Sequence, residues 1–294
     1  MKIHHFSAGT LCPRGGSLLG GQGGPWQRAT LVCHCLLIET DRHGLVLVDS
    51  GLGTADLEAP AERLGRQFTA VAAPRLDRST TALAFVERAG FRPSDVRHVL
   101  LTHLDLDHAG GISDFPEASI HVLADEHAAA EARITVAERN RYRTCQWAHG
   151  ARFVLHEPSG EPWRGFASAR ALPGLPEELL MIPLSGHTRG HACIAVDAPT
   201  GALVHAGDAY FHRSSVRDPE DAGRPPALAV FETLVAVDRS RIRDNHRRLH
   251  ELRAGGGVEV FCAHDPVELE EAQGQSGRST GSKISATSSN NAGS

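Results

Sequence analysis

Long apolar runs are missing from this 294-residue sequence; no stretch approaches the roughly 18 residues needed to cross a bilayer. An excess of basic charge is missing as well. The formal net charge is -5, so there is no electrostatic footprint for a nucleic-acid backbone or a membrane surface. The start, Met1-Lys2-Ile3-His4-His5, has no apolar core of the kind an export signal carries. Cysteine is sparse, and the six residues Cys12, Cys33, Cys35, Cys145, Cys193 and Cys262 form no paired framework. That excludes a disulfide-stapled fold and points to reduced thiols in a cytoplasmic protein. A Gly-x-Ser-x-Gly elbow is also absent, which leaves a serine triad without a seat.

Histidine, by contrast, is abundant, with 18 copies. Short apolar segments predict strands over Leu31–Glu39, Gly44–Asp49, Val96–Thr102, Ser119–Leu123, Leu179–Pro183, Ala192–Val196, Ala202–His205 and Val258–Cys262. Turns are expected at Thr40–Gly44 and Pro199–Gly201. A helix is expected from a Ser79 cap through Ala89, another from an Asp125 cap through Arg133, and an amphipathic one over Asp238–Arg253. Tyr142–Pro176 carries Trp147 and Trp163 without a clear period and reads as irregular chain around a pocket mouth. Residues 1–272 read as one domain, and 273–294, rich in Gly and Ser, as a flexible tail.

The chemistry concentrates at Thr102-His103-Leu104-Asp105-Leu106-Asp107-His108-Ala109-Gly110-Gly111, directly after an apolar strand. Imidazoles and carboxylates packed this densely surround a metal only if the backbone turns sharply, and the two glycines suit such a loop. Further along, Gly186-His187, Gly207-Asp208 and Ala263-His264 each place a ligand-type residue just past a strand. Each alone has a plain packing explanation; four in this order do not. The pair Cys33 and Cys35 has no second pair to answer it and reads as structural.

The order HxDxDH, Gly-His, Gly-Asp and a late His, together with Val48-Asp49-Ser50-Gly51, resembles the metallo-β-lactamase superfamily from about Leu31 to Asp265. The resemblance implies a four-layer αββα sandwich holding two divalent ions, with zinc first and manganese or iron as alternatives. It implies His103, Asp105 and His187 on one metal, Asp107, His108 and His264 on the other, and Asp208 bridging. Asp49 would hold ligand loops in place. Two such ions activate water, with its pKa lowered to about 7, for attack on a carbonyl or phosphorus. Asp107 or Asp208 would then handle the proton.

The departure is Asp105, where the superfamily usually has a second histidine. A charged, hard oxygen there favours manganese or iron relative to zinc, and Asp105→His should keep metal binding and shift preference toward zinc. The layout resembles lactonase and glyoxalase-II-like hydrolases, which place a substrate-contacting Tyr shortly after the Gly-Asp pair. Tyr210 is therefore a catalytic candidate, with packing beside Phe211 as its plainer role. His191, His205 and His212 read as structural. The expected activity is hydrolysis of a small ester, lactone or thioester, with phosphodiester hydrolysis as the alternative. The expected partner is a small-molecule substrate, with neither nucleic acid nor membrane.

Overall fold

Every residue of Leu31–Glu39 except the last is buried. Both faces of that strand must be covered, which only a layered fold provides. In the computed structural model, which describes residues 1–20, 23–198, 201–217 and 223–281, it is the second of six strands in one sheet. These are β1 (Lys2–Leu11), β2 (Leu31–Glu39), β3 (Leu45–Val48), β4 (Val96–Leu100), β5 (Ser119–Leu123) and β6 (Arg152–His156), in that spatial order. β1 to β3 pair antiparallel, and β3 to β6 run parallel. The second sheet takes β7 (Glu161–Trp163), β8 (Phe166–Ala171), β9 (Leu179–Pro183), β10 (Ala192–Ala198), β11 (Gly201–His205) and β12 (Val258–Phe261). Only β11 and β12 are parallel there.

The helices that cover the sheets or reach the site are α1 (Ala82–Arg88), α2 (Leu106–Ala109), α3 (Ala124–Ala132), α4 (Val136–Arg141), α5 (Pro226–Val235), α6 (Arg239–Ala254) and α7 (Pro266–Gly281). Alternation along the strands sends successive side chains to different cores. Leu37, Leu47 and Val99 pack outward against Ala82 and Val86 of α1 and Ala129 and Ala130 of α3. Leu36, Ile38, Val46 and Leu100 face inward onto Met181, Ile194 and Phe261 of the second sheet. On the far side, Ala195, Val204 and Val260 pack under Leu249 and Leu252 of α6. The layers are therefore helix, sheet, sheet, helix, as expected for an αββα sandwich.

Several local expectations are corrected. The stretch 142–176 is not irregular: it contains β6 and β7, the edge strands of the two sheets, and β8, which pairs between β7 and β9. Edge strands are short and half exposed, so they lack the apolar pattern that would reveal them. Its two tryptophans turn to the sheets, Trp163 onto Asp197 at 2.7 Å and Trp147 onto the core beneath the first sheet, while Gln146 donates to the Leu106 carbonyl, between two candidate ligands. β1 was unread because His4, His5, Ser7 and Gly9 interrupt its apolar residues. Thr81, not Ser79, caps α1 by accepting from the Ala84 amide, while Asp77 closes a preceding 3-10 turn through Ser79. Asp125 caps nothing; it lies in the first turn of α3. Asp238 does cap α6, through the Ser240 amide. The expected flexible tail is helical over residues 273–281, within α7; residues 282–294, and Pro199 and Thr200 of the second turn, lie outside the described residues. Among the described residues no helix is long and apolar enough to cross a membrane.

Candidate metal centre

Strand direction brings the candidate ligands together. β3 and β4 are parallel, so Asp49 and the loop 102–108 leave the first sheet at one edge. In the second sheet β9, β11 and β12 share a direction, so His187, Asp208 and His264 leave at one edge too. Backbone bonds from Ala192 N to Thr102 O (2.9 Å) and from His34 N to Ala263 O (2.8 Å) tie the two edges. Glycine is required where the chains press closest. Gly207 has φ 53° and a Cβ there would sit 2.6 Å from His191 Nε2. Gly110, which sequence suggested for its flexibility, has ordinary φ; its need is space, since a Cβ would collide with the Asp56 carboxylate.

Two groups of side chains with ligand geometry result. His103, Asp105, His187 and Asp208 form one, and Asp107, His108 and His264 the other. Asp105 Oδ2 lies 3.0 Å from His187 Nε2 and 3.4 Å from His103 Nε2. Asp208 spans both groups: Oδ2 is 3.3 Å from His187 Nε2, and Oδ1 is 3.3 Å and 3.1 Å from the Nε2 atoms of His108 and His264. Asp107 approaches His264 at 3.7 Å. Nearly all of this is buried, yet His103 Nε2, His108 Nε2 and Asp208 Oδ1 have no hydrogen-bond partner. Buried polar atoms left unpaired and converging on one space are what a bound cation resolves. The mix of imidazole and carboxylate donors suits zinc, manganese or iron.

The outer contacts aim each ring. His108 Nδ1 donates to Asp49 Oδ2 at 2.8 Å, and His264 Nδ1 to the Val32 carbonyl at 2.8 Å, which turns both Nε2 atoms inward. Asp49 also accepts from Thr102 N and Oγ1, both at 2.8 Å, and holds φ 53° to do so. His191 is structural, as expected: it donates Nδ1–H to the Leu184 carbonyl and accepts the Asp208 amide at Nε2, seating the bridging residue. His205 accepts the Gly207 amide and donates to the His34 carbonyl.

Sequence reasoning missed three residues. Glu126 of α3 accepts from Leu104 N and Tyr142 Oη through one oxygen and from Gly190 N through the other, joining the two ligand loops. Thr102 links Asp49 to the site, and Arg141, at the end of α4, reaches Asp105. A lone glutamate or arginine in an alanine- or arginine-rich helix carries no signal of this. Tyr210 goes the other way. It is fully buried in the outer core, with its hydroxyl on Glu268 at 3.1–3.2 Å, so the structure does not bring it to the ligands.

Burial opposes ionisation of Asp208, but the imidazoles of His264, His108 and His187 outweigh it and hold the carboxyl well below its usual range. Burial likewise opposes charging His264, yet Asp208 and Asp107 push it up to about 9, and His108 rises well above 6.5 through Asp208 and Asp49. Metal-free protein therefore carries protons on both rings at pH 7. Raised histidine pKa values stabilise the fold fully below the unfolded value of about 6.5, and that contribution is lost as pH climbs through about 9. Metal-free protein should lose stability across that window, and zinc uptake at pH 7 should release about two protons per chain. Calorimetric titration in buffers of differing ionisation enthalpy measures this; zero release would show that the rings are already neutral.

The comparisons with known proteins agree with this geometry. The family model of the Metallo-beta-lactamase superfamily matches residues 28–254. A "Probable metallo-hydrolase" of Mycobacterium tuberculosis is 44% identical over 271 residues, covering 90% of this chain and 81% of that protein. An N-acyl homoserine lactonase of Bacillus thuringiensis is 25% identical, covering 92% and 95%. An N-acyl homoserine lactone hydrolase, solved with N-hexanoyl-L-homoserine at its catalytic metal center, superposes with TM-score 0.66 at 20% identity over 92% of this chain and 95% of that one. With two sheets delivering imidazoles and carboxylates to one shared edge, and a family match across most of the chain, the protein is a hydrolase that belongs to the metallo-β-lactamase superfamily.

Proposed function

We propose that the chain hydrolyses a small carboxylic ester, lactone or thioester, using two divalent ions, with zinc the leading choice. The observation that carries this is the convergence of three carboxylates and four imidazoles at one sheet edge, with Asp208 touching both groups. Ions held there would polarise a carbonyl and acidify water. Asp107 is the carboxylate with the loosest contact to its neighbours, at 3.7 Å from His264, which supports it as the group that would take and pass the proton. Phe211 packs its ring 5.7 Å from His187 and 5.3 Å from His264, and Phe231, 39% exposed, stands 5.9 Å beyond it. That apolar wall suits an organic acyl group and sheds water from it.

Phosphodiester hydrolysis is the second reading, and Asp105 favours it through its hard oxygen. Against it, Arg141 has two of its nitrogens on backbone carbonyls and the third beside Asp105, so its guanidinium is held against the protein at all three nitrogens rather than turned to a phosphate. Metal analysis followed by a panel of lactones, thioesters and bis-nitrophenyl phosphate on the same sample tests both. Turnover of lactone or ester that stops on chelation and returns with zinc is expected; turnover of the phosphodiester alone would overturn the proposal. Tyr210→Phe should keep kcat/KM within about threefold of the parent, because no contact to a reacting group is lost. It should cost about 1–2 kcal/mol of stability through the stranded Glu268 carboxyl, read by thermal melting. A large fall in kcat with unchanged stability would return Tyr210 to the site.

A further inference from the structure

Asp105 presents its two oxygens to different neighbours. Oδ2 faces the Nε2 atoms of His103 and His187, while Oδ1 lies 3.2 Å from Arg141 Nε. The guanidinium is 12% exposed. Its other nitrogens donate to the His187 carbonyl at 2.8 Å and the Val235 carbonyl at 2.6 Å. One side chain thus grips a candidate ligand's carboxylate, another candidate ligand's backbone and the end of α5. The grip is firm because two nitrogens of the planar fork are anchored on backbone carbonyls, which fixes the third beside Asp105.

We infer that Arg141 is a positioning residue that makes Asp105 behave as a one-oxygen, charge-compensated ligand, so that the pair does the work of a single neutral imidazole. Charge bookkeeping at the site agrees. Asp105, Asp107 and Asp208 supply three negative charges and Arg141 removes one, leaving the two that a histidine at 105 without Arg141 would leave. The pairing has a consequence that residue 105 alone would not suggest. A histidine placed there on its own would set an uncompensated, poorly hydrated cation against the ion. Asp105→His should therefore weaken zinc, and removing Arg141 as well should restore it.

The inference rests on Asp105 being a ligand, and zinc stoichiometry with zinc affinity by chelator competition tests the two separately. Asp105→Ala that keeps full zinc would defeat the ligand reading itself. If Asp105→Ala loses an ion, the pairs decide. Asp105→His is expected to weaken zinc by about tenfold to a hundredfold, the usual scale for disturbing the surroundings of a ligand. Asp105→His/Arg141→Met should recover to within about threefold of the parent, whereas Asp105→His/Arg141→Lys, which keeps the charge, should stay weak. With Asp105 in place the order reverses: Arg141→Met weakens zinc and Arg141→Lys is closer to the parent. A mere strut would make Arg141→Met equally harmful in both backgrounds, and that result would overturn the inference while leaving Asp105 a ligand.

Discussion

If the site holds two ions as proposed, Asp208→Ala is expected to strip both and lower kcat/KM by at least about 10³, the scale of removing one partner from a buried charge network. Asp208 is the one side chain within 3.3 Å of imidazoles in both groups. Its backbone is seated independently by His191, so the loop should survive the change and the loss should be chemical. The removed carboxylate also leaves His108 and His264 without the charge that keeps them protonated in metal-free protein. Metal content by elemental analysis, beside circular dichroism for the fold, checks the expectation. Two ions retained with near-parental turnover would show that Asp208 bridges nothing.

Asp49→Ala is expected to cost stability as well as zinc affinity, whereas Asp49→Asn should cost mainly zinc affinity. The buried carboxylate receives three bonds at 2.8 Å, from Thr102 N, Thr102 Oγ1 and His108 Nδ1. Alanine orphans all three, and its Cβ is poorly suited to φ 53°. A loss of about 3–5 kcal/mol follows, or a melting point lower by about 10 °C for a domain of this size. Asparagine tolerates the left-handed backbone and keeps an acceptor, so the fold should hold. Without the charge, His108 is less firmly oriented, and zinc should weaken by about 10- to 100-fold. Thermal melts with and without zinc, plus chelator competition, separate the two effects. An alanine variant as stable as the parent would remove Asp49 from the framework.

The candidate site was legible because each of these residues follows an apolar strand, and strand ends in layered folds collect at one edge. Asp49, His103, Asp105, Asp107, His108, His187, Asp208 and His264 all carried that signal, and the structure brings them together. Tyr210 carried a different one, a position two residues past Asp208. Position along the chain says nothing about direction. A two-residue step in a turn with Gly207 at φ 53° sends the ring into the outer core toward Glu268. Glu126, Thr102 and Arg141 were illegible for the opposite reason: what they do is set by partners 16 to 94 residues away, and no local pattern marks them. β1 and β6 to β8 stayed hidden because their pairing, not their composition, makes them strands.

The chain is also divided in a way that bears on how it comes to hold metal. The first sheet is built wholly from residues 2–156 and the second wholly from 161–261. Each ligand group draws from both: His103 and Asp105 meet His187 and Asp208, while Asp107 and His108 meet His264. A ribosome releasing the N-terminal half therefore exposes two side chains of each group, His103 and Asp105 of one and Asp107 and His108 of the other, and completes neither. If the groups hold metal as proposed, firm capture would wait for the other sheet to dock. The metal would then act as a lock turned last, seated when two separately written halves have closed into register.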